Sequence, residues 1–439
     1  MHLSNLQKEF DHQNRNNKTA PFRGINEIEV SSIVNSAMRS SERWKTMAAQ
    51  GRSKEEITRS FHEKRQMQIF SWKGAKDTVM TPRDSILYYK SILQTGMMSM
   101  TPQTGEVKAW VGGIDFKHFK YEHVKQGKRQ VGSTFKPFVY ATAIDQLKLS
   151  PYDTLPLSRY TREAGKHNNA GDWSPRNSNG EYGGMLSLNT SLAQSVNTIT
   201  ARLIDRTGPG PVIEMLGNLG IDTRNIPEGP AIALGTADLS VFEMVNAYST
   251  FVNEGVYVKP VMVTRIEDRN GTVLYRHIPE TRDVLSAEAA YVTVNLLEGV
   301  TQNGSGVRLR GNSAGNQEVY KRAVTGYPYD FKNPIAGKTG TTQNQSDGWF
   351  MGMVPNLVTG VWVGGEDRAV HFQGIQYGAG ATMALPIWGI YMKKVYANKE
   401  LEVSSEAFPR PDNLSIQIDC DLFDEKEPAI RGIQDEREF

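Results

Sequence analysis

Apolar residues along this chain follow two rhythms, and the switches between them outline the elements. The first 25 or so residues are polar and aromatic-poor and read as a loose lead-in. Helical spacing then covers residues 26–48, and Ser53 with Glu56 three positions on forms a capping box that opens a short second helix. "QMQIFSW" alternates like a strand. The best-punctuated helix covers 82–95, with Thr81 as N-cap, Pro82 at its first position, Asp84 in the first turn and Gly96 past its end.

"MMSM", the turn "TPQTGE" and "VKAWVGG" predict a β-hairpin, followed by an apolar helix after Ser133. Residues 150–190 are rich in Gly, Asn, Ser and Pro, the composition of long surface loops lining something. Helical patterns dominate 188–300, broken near 256–276 by "VYVKPVMVTRIED" and "TVLYRHI" around an Asn270-Gly271 turn. From 335 strands return as "PIAGKTGTT", "DGWFMGMV" and "LVTGVWVGG"; an apolar helix covers about 385–397 and an acidic tail closes the chain. Strands at both ends with helices between them predict an α+β fold: an antiparallel sheet closed by distant segments, flanked by helices and carrying a largely helical subdomain. No internal repeat is visible.

The chain's 439 residues hold ample material for two or three domains. With 38% apolar residues, 22% charged residues and a net charge of +2, it is globular and has no general attraction for nucleic acid. The local basic cluster from Lys117 to Arg129 reads as a solvated loop. A single cysteine, Cys420, excludes a disulfide framework and a thiolate metal site. No run of 18 apolar residues exists, and "MHLSNLQKEF" is too polar for a signal peptide.

Candidate chemistry begins at "VGSTFKPFVY", where Ser133 and Lys136 stand three positions apart ahead of an apolar run. Phe135, Phe138, Val139 and Ala141 would carry this helix into a core, which is an odd place for a lysine. Lys136 either snorkels its amine to water or is held beside Ser133 for chemistry. Pro137 disfavours a helix interior, so both residues belong around the first turn, on one face. The positive helix N-terminus and apolar neighbours both disfavour a charged amine there. A neutral Lys136 would then accept the proton of Ser133, a known nucleophile–base design.

"IAGKTGTTQNQSDGW" places Lys338, Thr339, Gly340 and Thr341 on an exposed-edge strand. Gly340 would let an extended peptide approach the backbone, while the lysine and threonine hydroxyls suit a carboxylate. The competing phosphate-loop reading fails, because Lys332 stands where that pattern needs a glycine. Ser-x-Asn occurs twice, as "SLN" at 187–189 and "SVN" at 195–197. Ser187 opens an apolar run and suits an N-cap, while Ser195 and Asn197 could supply a proton relay and an amide grip; spacing alone leaves both open.

Ser-x-x-Lys, Ser-x-Asn and Lys-Thr-Gly in this order are the signature of penicillin-binding proteins and serine β-lactamases. "RQVGSTFKPFVYATA", "SLNTSLAQSVNT", "IALGTADLSVFEMVNAYSTFVNEG" and "NPIAGKTGTTQNQSDGWFMG" extend the similarity over about residues 80–400. The chain thus resembles the transpeptidase domain of class A penicillin-binding proteins. That resemblance selects Ser195 and Asn197. It implies Ser133 as acylated nucleophile, Lys136 as its base, and Ser195 with Lys338 as the route of a proton to the leaving group. It also implies that Asn197 holds the donor peptide and that Thr339 and Thr341 hold its carboxylate, with the N–H groups of Ser133 and Thr341 as oxyanion hole. Trp173 and Asn177, in "DWSPRN", become cleft-lining positions, with packing an equal alternative for Trp173.

The implied activity is cross-linking of peptidoglycan stem peptides through an acyl-enzyme, inhibited by penicillins, without metal or cofactor. It would take place outside the cytoplasmic membrane, alongside cell-wall assembly proteins. Residues 1–80 would be a connecting segment, 81–400 the transpeptidase domain and 401–439 a tail. The membrane anchor and glycan-polymerising domain that the resemblance implies upstream are not in this sequence, so no glycosyltransferase activity is assigned. The intact triplet of motifs argues against an inert scaffold, whereas a β-lactam sensor would keep it too. A β-lactamase of the best-known class would need E-x-x-L-N, and "EMLGN" at 214–218 has Gly217 in place of the leucine.

Overall fold

A computed structural model of the chain describes residues 1–165, 171–311 and 322–423. The lead-in is not loose: α1 spans His2–Asn14 and buries Leu3, Leu6 and Phe10. Its polar residues are held by distant partners, since His2 bonds to Thr382 O and Met383 O, and Gln7 to Ser91 O and Leu93 N. The expected single helix over 26–48 is two, α2 (Glu27–Ser40) and α3 (Glu42–Ala49), because Ser41 turns extended and caps the second. The Ser53–Glu56 capping box opens α4 (Lys54–Ser60) as expected. The strands β1 (Arg65–Ile69) and β2 (Lys76–Met80) pair before α5 (Pro82–Lys90), which Thr81 caps. That helix stops before Gly96, which lies inside β3 (Gln94–Met100), paired through β4 (Val107–Val111) in the expected hairpin.

Next come β5 (Arg129–Gln130), a 3-10 turn at Gly132–Phe135 and α6 (Lys136–Leu147). Residues 150–190 are mostly irregular around β6 (Thr154–Pro156) and β7 (Met185–Ser187). The helical subdomain follows: α7 (Leu188–Ala193), α8 (Asn197–Thr207), α9 (Pro209–Asn218) and, beyond β8 (Asp238–Leu239), α10 (Val241–Val252). Ser187 does cap α7, through Thr190 N. The strand interruption pairs differently from a single hairpin. Here β9 (Val256–Val258) pairs with β12 (Thr281–Asp283), while β10 (Arg265–Glu267) and β11 (Val273–Arg276) flank the Asn270-Gly271 turn. Then α11 (Ala287–Gln302) leads back to the sheet.

The sheet is five-stranded and antiparallel, in the order β13 (Ala336–Thr341), β14 (Asp347–Val354), β15 (Leu357–Gly364), β3, β4. Segments some 260 positions apart therefore meet at the β15–β3 pair, where Ser99 Oγ lies 2.8 Å from Thr359 Oγ1. Alternate residues feed two cores. Met98, Trp349, Met351 and Val358 join the core of the helical subdomain. Met97, Phe350, Val354 and Val361 join the other face, with α1 and the last helix, Leu385–Ala397. Burial on both faces is why these strands read as nearly unbroken apolar runs. The fold is α+β with a largely helical subdomain, as the pattern predicted.

Candidate active site

The turn carrying Ser133 is fixed from three sides. Val131 N and Gly132 N donate to Ala237 O and Gly235 O at 3.1 and 3.0 Å. The Tyr248 hydroxyl of α10 donates to Thr134 O, and Trp349 Nε1 of β14 donates to Gln130 O. Gly132 sits at φ 53, and a Cβ there would stand 2.9 Å from Thr341 O, so only glycine lets the turn lie against the strand end. Ser133 is half-buried on this turn, immediately ahead of α6.

Lys136, first residue of α6, is fully buried, and Pro137 stands in the first turn as expected. The snorkelling alternative is therefore excluded. Its Nζ reaches Ser195 O at 2.5 Å, Ser195 Oγ at 3.2 Å and Asn197 Oδ1 at 2.7 Å. The carbonyl and the amide oxygen must accept, which a neutral amine could meet with its two N–H bonds. The third neighbour is a hydroxyl, which can donate to the lone pair. Burial, followed by the charge of Lys338, holds the Lys136 amine well below its usual range. Ser133 Oγ has no hydrogen-bond partner among the described residues, so the expected Ser133–Lys136 hydrogen bond is not made.

Lys338 is also fully buried and donates to Ser195 Oγ at 3.1 Å and to Thr339 O at 3.0 Å. Burial lowers its amine to about 7. Ser195 thus receives both lysines on one hydroxyl. It adopts a left-handed backbone (φ 60), unusual for a side-chain-bearing residue and costing about 1 kcal/mol. That conformation turns both its carbonyl and its hydroxyl toward Lys136.

The edge strand β13 is not exposed. Lys338, Thr339 and Gly340 are buried, because the strand's outer edge packs on the Ser133 turn and α11. A Cβ on Gly340 would come within 2.8 Å of Thr134 Cγ2 and 2.9 Å of Val131 O. The glycine is there so that the strand can close on the turn, which corrects the expectation that it admits a ligand. Thr342 N bonds to Asp347 O in this register, so by ladder alternation the backbone of Thr341 points outward from β14. The Thr341 hydroxyl accepts from Gly380 N, and the Thr339 hydroxyl lies 2.5 Å from Ser305 Oγ.

Of the expected cleft-lining pair, Asn177 is buried and its amide is already engaged. Its Oδ1 accepts from Asn197 N and Thr198 N and its Nδ2 donates to Glu181 O. Since Val196 offers no side-chain cap, Asn177 caps α8 from 20 positions away. Trp173 is half-buried and exchanges backbone hydrogen bonds with Arg162 at 2.8 and 2.9 Å; among the described residues it makes no hydrogen bond to the lysines or Ser195. Sequence reading missed Ser305, the cap made by Asn177, and the half-buried Arg129. Arg129 belongs to the cluster read as solvated, yet its Nε donates to the fully buried Asp347 at 2.6 Å. Among the described residues there is no cluster of metal-ligating side chains and no helix long and apolar enough to cross a membrane.

Two buried lysines thus meet on one serine hydroxyl, and one of them opens the helix that directly follows the Ser133 turn, on a scaffold of sheet and helices. Residues 95–366 match the penicillin binding protein transpeptidase domain, and residues 17–93 match the penicillin-binding protein middle domain. The chain belongs to the penicillin-binding protein transpeptidase family. It is 32% identical over 331 residues to penicillin-binding protein 1A of Aquifex aeolicus, covering 74% of this chain and 41% of that protein. It is 30% identical over 365 residues to penicillin-binding protein 1A of Escherichia coli, covering 69% of this chain and 42% of that one. The crystal structure of penicillin-binding protein 1A from Haemophilus influenzae aligns with a TM-score of 0.61 at 26% identity, over 73% of this chain and 49% of that chain. This chain spans less than half the length of the relatives it matches.

Proposed function

We propose that this chain is a serine D,D-transpeptidase that cross-links peptidoglycan stem peptides through an acyl-enzyme on Ser133. The observation that carries the reading is the pair of buried amines, Lys136 and Lys338, held without a carboxylate on the Ser195 hydroxyl. A neutral Lys136 takes the proton of Ser133 as Oγ attacks the carbonyl of the D-Ala–D-Ala bond. The missing Ser133–Lys136 contact is compatible with this, since catalytic hydrogen bonds often tighten only when substrate binds. The N–H groups of Ser133 and Thr341 receive the oxyanion, each worth about 3 kcal/mol in the transition state.

Lys338 and Ser195 deliver a proton to the departing D-alanine nitrogen, and an amine of a neighbouring stem peptide then takes the acyl group. Asn197 spends Oδ1 on Lys136 and one N–H on Arg176 O, which leaves its second N–H for the donor peptide. Thr339 and Thr341 take the donor's terminal carboxylate. Asn177 acts behind the site, by fixing the start of α8, and Trp173 has a packing role. Residues 1–80 form the connecting segment, 81–400 the catalytic unit and 401–439 a tail, of a protein that works outside the cytoplasmic membrane beside cell-wall assembly partners.

Intact-protein mass spectrometry after incubation with a penicillin tests this reading, on the wild type and on Ser133→Ala. The expected result is a stable adduct on the wild type that the variant lacks, together with release of D-alanine from a stem-peptide substrate. An adduct without D-alanine release would make the protein a β-lactam sensor. Hydrolysed penicillin without an adduct would make it a β-lactamase; Glu214, at the start of "EMLGN", is exposed on α9.

A further inference from the structure

Ser305 lies in the loop after α11, in "NGSG", and belongs to none of the three motifs. Its backbone N–H donates to Ala193 O at 3.0 Å, at the end of α7 and two positions before Ser195. Its Oγ lies 2.5 Å from Thr339 Oγ1 on β13, 34 positions away. One residue therefore ties the loop bearing Ser195 to the strand bearing Lys338, and it does so through the hydroxyl of the threonine between Lys338 and Gly340. Thr339 is 7% exposed, and the Ser305 hydroxyl is its only side-chain partner among the described residues.

We infer that Ser305 is a positioning residue for the carboxylate of the acyl donor, an inference that rests on the function proposed above. The argument is one of hydrogen counting. A hydroxyl has a single O–H to donate and lone pairs to accept with. If Thr339 donated to Ser305, it would present only lone pairs to an incoming carboxylate and repel it. If Ser305 donates to Thr339, the threonine O–H is free to point at the carboxylate, and the chain Ser305, Thr339, carboxylate runs in one direction with each O–H polarising the next. Ser305 thus makes Thr339 a committed donor. Without it the threonine hydroxyl rotates freely and its O–H is aimed at the ligand only part of the time.

The test compares acylation by benzylpenicillin with acylation by its methyl ester, which keeps the reactive ring but masks the carboxylate. Rates are read by mass spectrometry on the wild type, Ser305→Ala and Ser305→Thr. Ser305→Ala should slow benzylpenicillin by about tenfold, as expected for a hydrogen bond supporting a charged ligand, and slow the ester less than about twofold. Ser305→Thr keeps the hydroxyl and should restore the carboxylate-bearing rate to within about threefold. Equal slowing with both compounds would show that Ser305 only holds the fold, and no slowing with either would show that Thr339 needs no orienting; each overturns the inference while leaving the proposed function standing. A wild type that benzylpenicillin does not acylate overturns the proposed function and this inference with it.

Discussion

Three lysines are buried among the described residues, and their amines are shifted in opposite directions. Lys90, at the end of α5, is 6% exposed and meets the carboxylates of Glu366 and Asp367 at 3.0 and 2.6 Å. Burial pulls its amine down, but hydrogen bonds and the negative charges of that pair outweigh burial and raise it above its usual value. Lys136 and Lys338 are buried more deeply and meet carbonyls, hydroxyls and an amide oxygen, and Lys136 also feels the charge of Lys338. Nothing there offsets burial, and both amines are lowered. The difference lies in the partners, not in the residue or its depth. A carboxylate holds a buried lysine in its charged form; withholding one leaves the amine lowered, as the proposed role of a base requires.

The largest effect that would break this comparison is on acylation. Lys136→Met keeps volume and burial but removes the base, and penicillin acylation of Ser133 should fall at least about a thousandfold. Lys90→Met, by contrast, should leave the acylation rate of the folded protein within about threefold. Stopped-flow acylation of both variants measures this, and a comparable loss in both would mean that the two kinds of lysine are not functionally distinct.

A middle-sized effect sharpens the electrostatic half of the comparison. The Lys338 amine titrates near 7 when folded and about 10.4 when unfolded. Between these values the unfolded chain holds the extra proton, so stability gained from this group rises with pH across that window. Lys338→Met should remove that rise and make the protein more stable at pH 7 by on the order of 2 kcal/mol, with catalysis lost. Urea unfolding at pH 7 and pH 9 decides it. A destabilised variant with an unchanged pH slope would mean that Lys338 is charged and satisfied in the folded state.

The same contrast between local and distant partners explains what the sequence disclosed. The strands of the sheet were legible because burial on two faces writes an apolar run. Ser133, Lys136 and the cap at Ser187 were legible from local spacing, although the hydrogen-bond partners of Lys136, Ser195 and Asn197, stand 59 and 61 positions away. The helix α1 was not, since its few apolar residues are supported by contacts to Ser91, Leu93, Thr382 and Met383. Gly96 reads as a helix stop, yet its place is set by pairing with Trp362 across the sheet. Gly340 suggested room for a ligand, when the space it leaves is filled by Thr134 and Val131. Asn177 and Ser305 carry no local pattern, because what each binds is decided by closure of the fold.

The smallest effect separates a structural lysine from a merely buried one. Lys90→Gln removes the cation from Glu366 and Asp367 but keeps a hydrogen-bonding group. Glu366 is 61% exposed and Asp367 30%, so solvent screens the carboxylates left behind and the loss should be about 1 kcal/mol rather than the larger cost of a fully buried orphan. Because the folded amine is raised, its contribution is fully present below the unfolded value near 10.4 and is lost only above it. The deficit of Lys90→Gln should therefore be constant from pH 7 to pH 9, a range in which the effect of Lys338→Met changes with pH. Paired urea melts of the two variants across that range measure both slopes at once. A Lys90→Gln deficit that shrank between pH 7 and pH 9 would mean that this amine too is losing its proton, and that its two carboxylates do not hold it apart from Lys136 and Lys338.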